Sequence, residues 1–316
     1  MDGNSSDYLI IGAGMAGLAC ATTLASAGAR VTVLDKGRGP GGRMAARRVE
    51  LAGENVSFDH GAQYFTARDP AFRTVVAGWE AAGVAARWPA AGEDAWVGVP
   101  GMNAPIRELA KVLDVRWGVR AEKLVREGAG WRVETDAGAF SAARVLVAVP
   151  AEQAAVLLAE VAPKLAGLAA SVTSVPCWAV MAGFTQNLPI AADCYRSDTG
   201  PVSWAARNSA KPGRAAPEAW VIHASPARSL ALVDRPREEV AQALLGDFFA
   251  ACGTAPVTPL HLDAHRWLYA LPQALAGEGA RFDEGLGIGI AGDWLHSPRV
   301  EGAWLSGRAL AGLVPG

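Results

Sequence analysis

With 316 residues, the chain is long enough to form one large domain or two closely packed ones. Hydrophobic residues make up 51% of it and charged residues 19%, proportions typical of an ordered globular protein. The net charge of −2 includes no block of basic residues, and no apolar run is long enough to cross a bilayer. We therefore expect neither a nucleic-acid partner nor a membrane partner.

The cysteines are few and scattered along the chain. Cys20, Cys177, Cys194 and Cys252 form no CxxC pair and have no metal-ligand spacing. Residues 1–6 contain no basic region, and glycines interrupt the apolar run that follows, so no signal peptide is expected. These features predict reduced thiols, no bound metal and a cytoplasmic location.

The first ordered element is an apolar stretch, residues 8–11, followed by a glycine-rich turn and an alanine-rich segment. Gly12 permits a tight bend, Gly14 lets the backbone approach a pyrophosphate, and Gly17 lets helix and strand pack closely. A second apolar strand ends in Asp35, about 20 residues past the glycines, where a carboxylate accepts hydrogen bonds from ribose hydroxyls. The pattern predicts a Rossmann-type dinucleotide site, with a purely structural glycine turn as the alternative.

A second glycine-rich loop, residues 36–44, follows directly and contains Arg43 near its end. A nicotinamide cofactor needs no such loop, whereas an extended flavin dinucleotide needs further backbone and a cation near its pyrophosphate. The loop therefore favours FAD, and a plain surface loop is the alternative. After a short strand at residues 56–58, Gly61 would let the backbone approach a flat ligand.

The chain up to residue 170 alternates between helical and strand patterns. Helices are predicted at residues 70–82, 104–113 and 151–168. Strands are predicted at residues 115–119, 123–126, 131–135 and 144–149. The last of these strands is continuously apolar, which is typical of the interior of a parallel sheet covered on both faces.

Residues 171–283 differ in composition, with several tryptophans and prolines, and indicate a second domain built on a mostly antiparallel sheet. Its strands are predicted at residues 177–184, 202–207, 219–225 and 260–267, its helix at 236–252, and exposed loops at 209–217 and 277–279. The predicted FAD-binding domain comprises residues 1–64, 101–157 and 285–316, and the second domain comprises residues 65–100 and 158–284.

The C-terminal region is again rich in glycine. A strand over residues 286–291 leads into Gly292 and Asp293, and a helix starts near Gly302. The N-terminus of a helix supplies about half a positive charge. We expect that end to favour reduced flavin, which is negatively charged near its pyrimidine edge.

These features together resemble the flavin-containing amine oxidase superfamily, and within it the renalases, especially the bacterial ones. The resemblance rests on the N-terminal GxGxxG, the Gly-Gly-Arg loop, residues 61–64, the region of Trp267 and the C-terminal Gly-Asp. It implies an α/β fold, with a Rossmann-like FAD-binding domain of the para-hydroxybenzoate hydroxylase or amine oxidase type and an inserted α+β substrate domain.

The resemblance also implies which residues hold FAD, and the binding would be noncovalent because no cysteine follows Asp293. Residues implied at the pyrophosphate and the adenosine are Gly12, Gly14, Met15, Ala16, Gly17, Asp35, Lys36 and Ala121. Residues implied along the dinucleotide and near the isoalloxazine are Gly42, Arg43, Met44, Gly61, Ala62, Gln63, Gly292, Asp293, Glu301, Gly302 and Ala303.

Candidate residues for the substrate pocket are Gln63, Tyr64, Trp96, Trp178, His265, Trp267 and Arg299. For Trp96 and Trp178, simple core packing is the alternative. Strand alternation places His265 and Trp267 on one face and Arg266 on the other, so at most two of these three face the flavin.

The side chains have no Ser-His-Asp order and no HExxH motif, which assigns the chemistry to the flavin. The resemblance implies hydride transfer from a 2- or 6-dihydro isomer of NAD(P)H to flavin N5, with O2 as acceptor and H2O2 and NAD(P)+ as products. Many amine oxidases place a lysine near the flavin, and no lysine lies in the Trp267 or C-terminal segments. The alternatives are oxidation of a small primary or secondary amine, desaturation of a lipid or pigment, and a non-catalytic flavin-binding regulatory protein.

Overall fold

The computed structural model describes residues 5–214, 217–275, 277 and 279–315. The helices are α1 Met15–Ser26, α2 Pro70–Ala81, α3 Ala104–Ala110, α4 Ala151–Leu158, α5 Pro163–Ala170, α6 Pro226–Ala231, α7 Arg237–Cys252 and α8 Val300–Leu313. The strands are β1 Ser5–Ile11, β2 Val31–Asp35, β3 Arg47–Leu51, β4 Glu54–Phe58, β5 Ala85–Arg87, β6 Trp96–Gly98, β7 Asp114–Trp117, β8 Ala121–Glu127, β9 Gly130–Thr135, β10 Gly138–Val147, β11 Ser174–Gly183, β12 Cys194–Arg196, β13 Val202–Arg207, β14 Ala219–Ala224, β15 His261–Pro272, β16 Ala280–Asp283 and β17 Ile288–Ala291.

An eight-stranded sheet forms the centre of the domain that the sequence predicts to bind FAD, called the FAD-binding part below. Its strand order is β16-β17-β10-β1-β2-β7, with the β8–β9 hairpin attached through β10. Neighbours from β17 to β7 pair in parallel, so their carboxyl ends lie at one edge. On β1, Tyr8 and Ile10 pack into one core and Leu9 and Ile11 into another. Because both faces of β1 are covered, its sequence is continuously apolar.

Helices α1 and α8 pack on one face of this sheet through a close backbone contact. A Cβ at Gly307 would overlap the carbonyl oxygen of Ala16. The contact therefore requires glycine on α8, and it places the middle of the C-terminal helix beside the first turn of α1.

The sheet of the predicted substrate domain, called the substrate sheet below, has five strands in the order β12-β13-β14-β11-β15, all antiparallel. Helix α7 covers one face, where Phe248 lies 5.0 Å from the ring of Trp220. The other face meets the β3–β4 hairpin, where Met181 packs with Leu51 and Phe58. The face that α7 leaves uncovered is therefore directed toward the FAD-binding part.

The helix predicted over residues 151–168 is two helices. Pro163 has no N–H to donate, so it begins α5, and Ala162 before it is not helical. Residues 65–100, which the sequence assigns to the substrate domain, contact the FAD-binding part: the ring of Phe72 lies 5.1 Å from that of Trp304. The domain boundaries themselves stay a prediction.

The exposed loop predicted over residues 209–217 is wrong at Lys211, which is 2% exposed. Residues 215 and 216 of that range, and residue 278 of the loop predicted at 277–279, lie outside the described residues. In the described part of the chain, no helix combines the length and apolar character that a bilayer crossing requires.

Candidate functional site

The first glycine turn lies at the carboxyl edge of the central sheet, between β1 and α1. A Cβ at Gly12 would overlap the carbonyl of Ala148, and one at Gly17 would overlap the carbonyl of Gly12, so both positions require glycine. A Cβ at Gly14 would meet nothing within 4 Å. Helix α1 begins there with no side-chain cap and no acidic residue in its first turn. Its N–H groups and dipole therefore suit a phosphate.

Asp35, at the carboxyl end of β2, is held beside this turn by two backbone donors. Its carboxylate accepts N–H bonds from Ala13 at 2.7 Å and from Gly37 at 2.6 Å. Burial raises the pKa of Asp35, while these two donors act in the opposite direction. Ala121 begins β8 near this point, since the N–H of Val119 bonds to the carbonyl of Asp35. Lys36 is exposed and donates to Gln153 at 3.0 Å.

The Gly-Gly-Arg loop packs against the first glycine turn, with a Cβ position at Gly42 only 3.6 Å from the Cα of Gly14. Arg43 forms a two-bond ion pair with Asp293, at 2.8 and 2.6 Å. The sequence predicts both residues at the cofactor, and the structure pairs them with each other. The charge of Arg43 is therefore balanced by a protein carboxylate.

Residues 59–64 lie along this loop. The N–H of Ala62 bonds to the carbonyl of Arg43 at 2.8 Å, and a Cβ at Gly61 would overlap the same oxygen. The indole N–H of Trp267 donates to the carbonyl of His60 at 2.8 Å. These contacts join the second glycine loop, residues 59–64 and β15.

The beginning of α8 completes this edge of the sheet. The helix has no side-chain cap, and a Cβ at Gly302 would overlap the carbonyl of Ser297. The carboxylate of Glu301 accepts backbone N–H bonds from Arg68 at 2.5 Å and from Asp69 at 2.7 Å. Glu301 therefore joins α8 to the segment before α2. The family resemblance implies a position for Glu301 near the isoalloxazine, and the sequence does not predict these bonds to backbone N–H groups.

These features fit an extended dinucleotide. Two glycine loops touch, the space above Gly14 is open, and α1 and α8 both begin without a side-chain cap. Met15, Met44 and Ala303 are buried in the core beneath the loops. We refer to this arrangement of the two glycine loops, residues 59–64, Asp35, Gly292 and Asp293, and the first turn of α8 as the cradle.

A row of side chains on the substrate sheet faces residues 59–64. Trp204, His223 and His265 lie on β13, β14 and β15, and the register joins them through Ala179 on β11. Directly paired residues point to the same face of a sheet. Trp267, two residues after His265 on β15, therefore shares that face, as strand alternation predicts.

Direct side-chain contacts show that this face of the substrate sheet packs against residues 59–64. The ring of His60 stacks on Trp267 at 5.3 Å and meets the edge of His265 at 5.0 Å. His223 lies 3.3 Å from the amide nitrogen of Gln63. Burial lowers the pKa of His60 and of His223 to about 4, and it also lowers the pKa of His265. All three imidazoles are therefore neutral at neutral pH.

The remaining pocket candidates are dispersed. Trp178 lies on the opposite face of the substrate sheet, in the core with α7, and its indole donates to Leu232 at 3.1 Å. Its assignment to the pocket is therefore corrected to core packing. Trp96 is also buried, under the guanidinium of Arg87 at 4.1 Å.

Tyr64 and Arg299 have different surroundings. The hydroxyl of Tyr64 accepts a bond from Arg196 at 2.9 Å, and its ring lies 5.2 Å from that of Trp204. Tyr64 thus borders the aromatic row. Arg299 is exposed at the start of α8, and no ion pair involves it among the described residues.

A buried ionic network behind Gln63 was not expected from the sequence. The ammonium of Lys211 donates to Asp59 at 3.2 Å and to the amide oxygen of Gln63 at 3.1 Å. Arg214 also bonds to Asp59, at 2.5 Å. Burial lowers the pKa of Lys211 to about 8, with Asp59 opposing that shift. Burial alone would raise the pKa of Asp59, but the two cations outweigh it and lower that pKa.

Comparison with known proteins gives two family matches. A model for the NAD(P)-binding Rossmann-like domain matches residues 10–79, and a model for flavin containing amine oxidoreductases matches residues 87–315. The second match covers well over half of the chain. The matches agree with the cradle, whose parts come from both ends of the sequence.

Several solved structures are similar over nearly the whole chain. A proposed protoporphyrinogen oxidase from Exiguobacterium sp. 255-15 is 16% identical, with a TM-score of 0.75, over 99% of this chain and 98% of that one. Putrescine oxidase bound to putrescine is 14% identical, with a TM-score of 0.69, over 98% of each chain. Cyclohexylamine oxidase from Brevibacterium oxydans IH-35A is 12% identical, with a TM-score of 0.65, over 97% of this chain and 98% of that one.

At such identities the structural likeness shows the fold, and it confirms the predicted α/β architecture with a Rossmann-like cofactor domain. The family match and the cradle supply the cofactor, FAD held noncovalently. The chain therefore belongs to the flavin-containing amine oxidoreductase family and is a FAD-dependent oxidoreductase.

Proposed function

We propose that this enzyme is an oxidase of a dihydropyridine nucleotide, an isomer of NAD(P)H reduced at the 2- or 6-position, as its resemblance to the renalases implies. The main support is the uncharged aromatic face formed by Trp204, His223, His265 and Trp267 opposite residues 59–64. Such a face suits a flat, neutral ring. A cytoplasmic location is part of the same proposal.

The cradle would hold FAD, which would supply the hydride acceptor, and with O2 and one proton from water the products would be H2O2 and NAD(P)+. A dihydropyridine becomes aromatic when it loses hydride, so no separate proton has to be removed from it. The protein then has to hold the ring in a reactive orientation and exclude competing reactions. The rings of neutral His265 and Trp267 lie 4.4 Å apart in an edge-to-face arrangement, and together they could hold a flat substrate ring in one orientation.

Oxidation of a small amine is the second candidate, and Lys211 is the observation that favours it. The ammonium of Lys211 donates to the side-chain amide oxygen of Gln63. The family resemblance places Gln63 beside the isoalloxazine. Amine oxidases of this superfamily often use such a lysine. Against this candidate, the ammonium of Lys211 already donates to Asp59 and Gln63 and lies 5.2 Å from the ring of Trp88.

Anaerobic stopped-flow reduction separates these candidates. The oxidised holoenzyme is mixed with 2-dihydro-, 6-dihydro- and ordinary NAD(P)H, and with a panel of primary and secondary amines. We expect one of the isomers to bleach the flavin fastest, with peroxide released when oxygen is readmitted. Faster bleaching by any amine would promote the second candidate, and no bleaching by any donor would indicate a non-catalytic flavin-binding protein.

A matched pair of variants tests the aromatic face. Trp267→Phe should slow flavin reduction about 2- to 10-fold, since the smaller ring stacks over less area and the indole N–H bond to the carbonyl of His60 is lost, changes worth roughly 0.5–1.5 kcal/mol. Trp178→Phe, on the opposite face of the same sheet, should leave the rate unchanged. Equal effects of the two substitutions would remove the aromatic face from the site.

A further inference from the structure

A cavity lies between the β3–β4 hairpin, the segment before α3 and the loop after β13. None of the aromatic residues Trp204, His223, His265 and Trp267 lines it. Its volume is about 400 Å³, within the range of small-molecule sites. Arg48, Arg107 and Arg214 line it, and no carboxylate does so among the described residues. Glu50, which follows Arg48 on the same face of the hairpin, is not part of the lining.

Two of these arginines have no anionic partner. In the part of the chain that the structure describes, no ion pair or hydrogen bond involves the guanidinium of Arg48 or of Arg107. Arg107 is partly buried, and burial together with the nearby charge of Arg48 lowers its pKa. Two like charges thus face one cavity with no carboxylate partner among the described residues, an arrangement that a bound anion would stabilise.

Arg214 adds a buried donor. Its side chain is 2% exposed, and its terminal nitrogens bond to Asp59 at 2.5 Å and to the carbonyls of Gly98 and Pro212 at 2.6 Å. Its Nε is buried and has no partner among the described residues. Because Asp59 is shared between Arg214 and Lys211, this buried group has an excess of one positive charge.

Neutral donors complete the lining. The hydroxyl of Ser57 and the amide of Asn55 line the cavity, and neither has a hydrogen-bond partner in the described structure. Ser57 lies opposite Arg48 in the hairpin register, so the two side chains point to one side. Guanidinium groups combined with hydroxyl and amide donors are the set that binds phosphate oxygens in proteins.

We propose that this cavity is a binding site for a phosphate-type oxyanion, held by Arg48, Arg107 and the buried Nε of Arg214, with Ser57 and Asn55 as neutral donors. The ligand is either free phosphate or the phosphoryl group of a nucleotide. The site is separate from the aromatic row and does not depend on which donor the flavin oxidises.

Isothermal titration calorimetry of the FAD-saturated holoenzyme tests the proposal, because saturation keeps the probes out of the cradle. The probes are inorganic phosphate, pyrophosphate and adenosine 5′-monophosphate, at constant ionic strength. We expect saturable binding of at least one probe. Binding of adenosine monophosphate about tenfold tighter than inorganic phosphate identifies a nucleotide as the ligand, and similar affinities identify the free oxyanion.

Two variants and one control complete the design. R107Q and R48Q should each weaken binding about tenfold or more, since a charge-assisted hydrogen bond is lost. R73Q, on the exposed surface of α2, should bind like the parent protein. Arg48 is exposed, so R48Q keeps the test valid if R107Q misfolds. Unchanged affinity in R48Q, or no saturable binding of any probe, overturns the proposal, whichever substrate reduces the flavin.

Discussion

At the level of single residues, the carboxylate of Asp59 is a charged group that is costly to bury. It is fully buried and is shared by Lys211 and Arg214, which are buried as well. Removing such ions from water costs several kcal/mol for each, and only complete pairing offsets that cost. The network joins residues 59–63 to the loop after β13, and so fixes Gln63 relative to the substrate sheet.

Asp59→Asn should therefore destabilise the protein strongly. The substitution leaves two buried cations without a carboxylate, and such losses cost about 3–5 kcal/mol. Urea unfolding of the FAD-saturated protein measures the effect. Asp247→Asn is the control, because it removes the partner of Arg228 in a half-buried pair and should cost about 1 kcal/mol or less.

A second substitution checks the cause. Adding Lys211→Met to Asp59→Asn removes one of the two unpaired cations and should restore part of the lost stability. If the double variant is as unstable as the sum of the two single variants, charge imbalance is not the reason for the loss.

Two buried histidines make stability depend on pH. His60 and His223 have pKa values lowered from 6.5 to about 4, so between those values the unfolded chain binds protons that the folded chain does not. Their contribution is complete above pH about 6.5 and decreases as the pH falls toward 4. Between pH 7 and pH 5 the loss should be about 2 kcal/mol for each histidine.

Urea unfolding of the FAD-saturated protein at pH 7 and pH 5 measures this loss. His60→Gln should reduce the difference by about 2 kcal/mol, because the contribution of that imidazole is removed. His296→Gln, at an exposed position, should leave the difference unchanged. The same stability at both pH values would show that the two imidazoles do not titrate as their burial implies.

The sequence could place Asp35 beside the glycine turn because local geometry determines their positions. A tight turn and a strand end specify them within a short stretch of chain. Lys211 had no such signal. Its partner Asp59 is 152 residues away, and its own neighbours, in a segment with serine, proline and glycine, are typical of an exposed loop.

At the level of elements, the crossing of α1 and α8 depends on one glycine. Gly307→Ala should push the helices apart, because the new Cβ would overlap the carbonyl of Ala16, and overpacking of this kind costs about 1–3 kcal/mol. Gly312→Ala in the same helix meets nothing within 4 Å and should be neutral or slightly stabilising. Thermal unfolding of the two variants gives the comparison, and equal midpoints would contradict the role of Gly307.

Element types were predictable where one periodicity covered the whole element. The helix α7 and the parallel strands other than β10 match the patterns of the sequence within a few residues. Strand β10 begins at Gly138, six residues before the predicted start, because its first half pairs with β9. Errors occurred where a local feature interrupted the pattern, as at Pro163, or where pairing extended an element. Strand β15 continues to Pro272 because β11 pairs with it along its length, which the sequence of β15 alone does not encode.

At the level of the whole molecule, the cradle brings together segments that are distant in the chain. Arg43 and Asp293, separated by 250 residues, form its central ion pair. The Arg43 carbonyl receives the N–H of Ala62, and Trp267 bonds to His60. A ligand that contacts all of these segments stabilises the whole fold, because local opening of any one of them weakens the site.

FAD should therefore protect distant segments of the apoprotein together. At a free concentration 100 times its Kd, it should add about 2.7 kcal/mol to the free energy of unfolding. Hydrogen exchange should slow in residues 10–17, 41–45, 59–64 and 291–303. Asp35→Ala should weaken FAD binding by about 1–3 kcal/mol, since a ribose hydroxyl loses its acceptor, and should reduce the added stability equally. The comparison uses the increment caused by FAD, because Ala13 and Gly37 lose their acceptor even without the cofactor. Protection limited to residues 10–17 would contradict a cradle built from both ends of the chain.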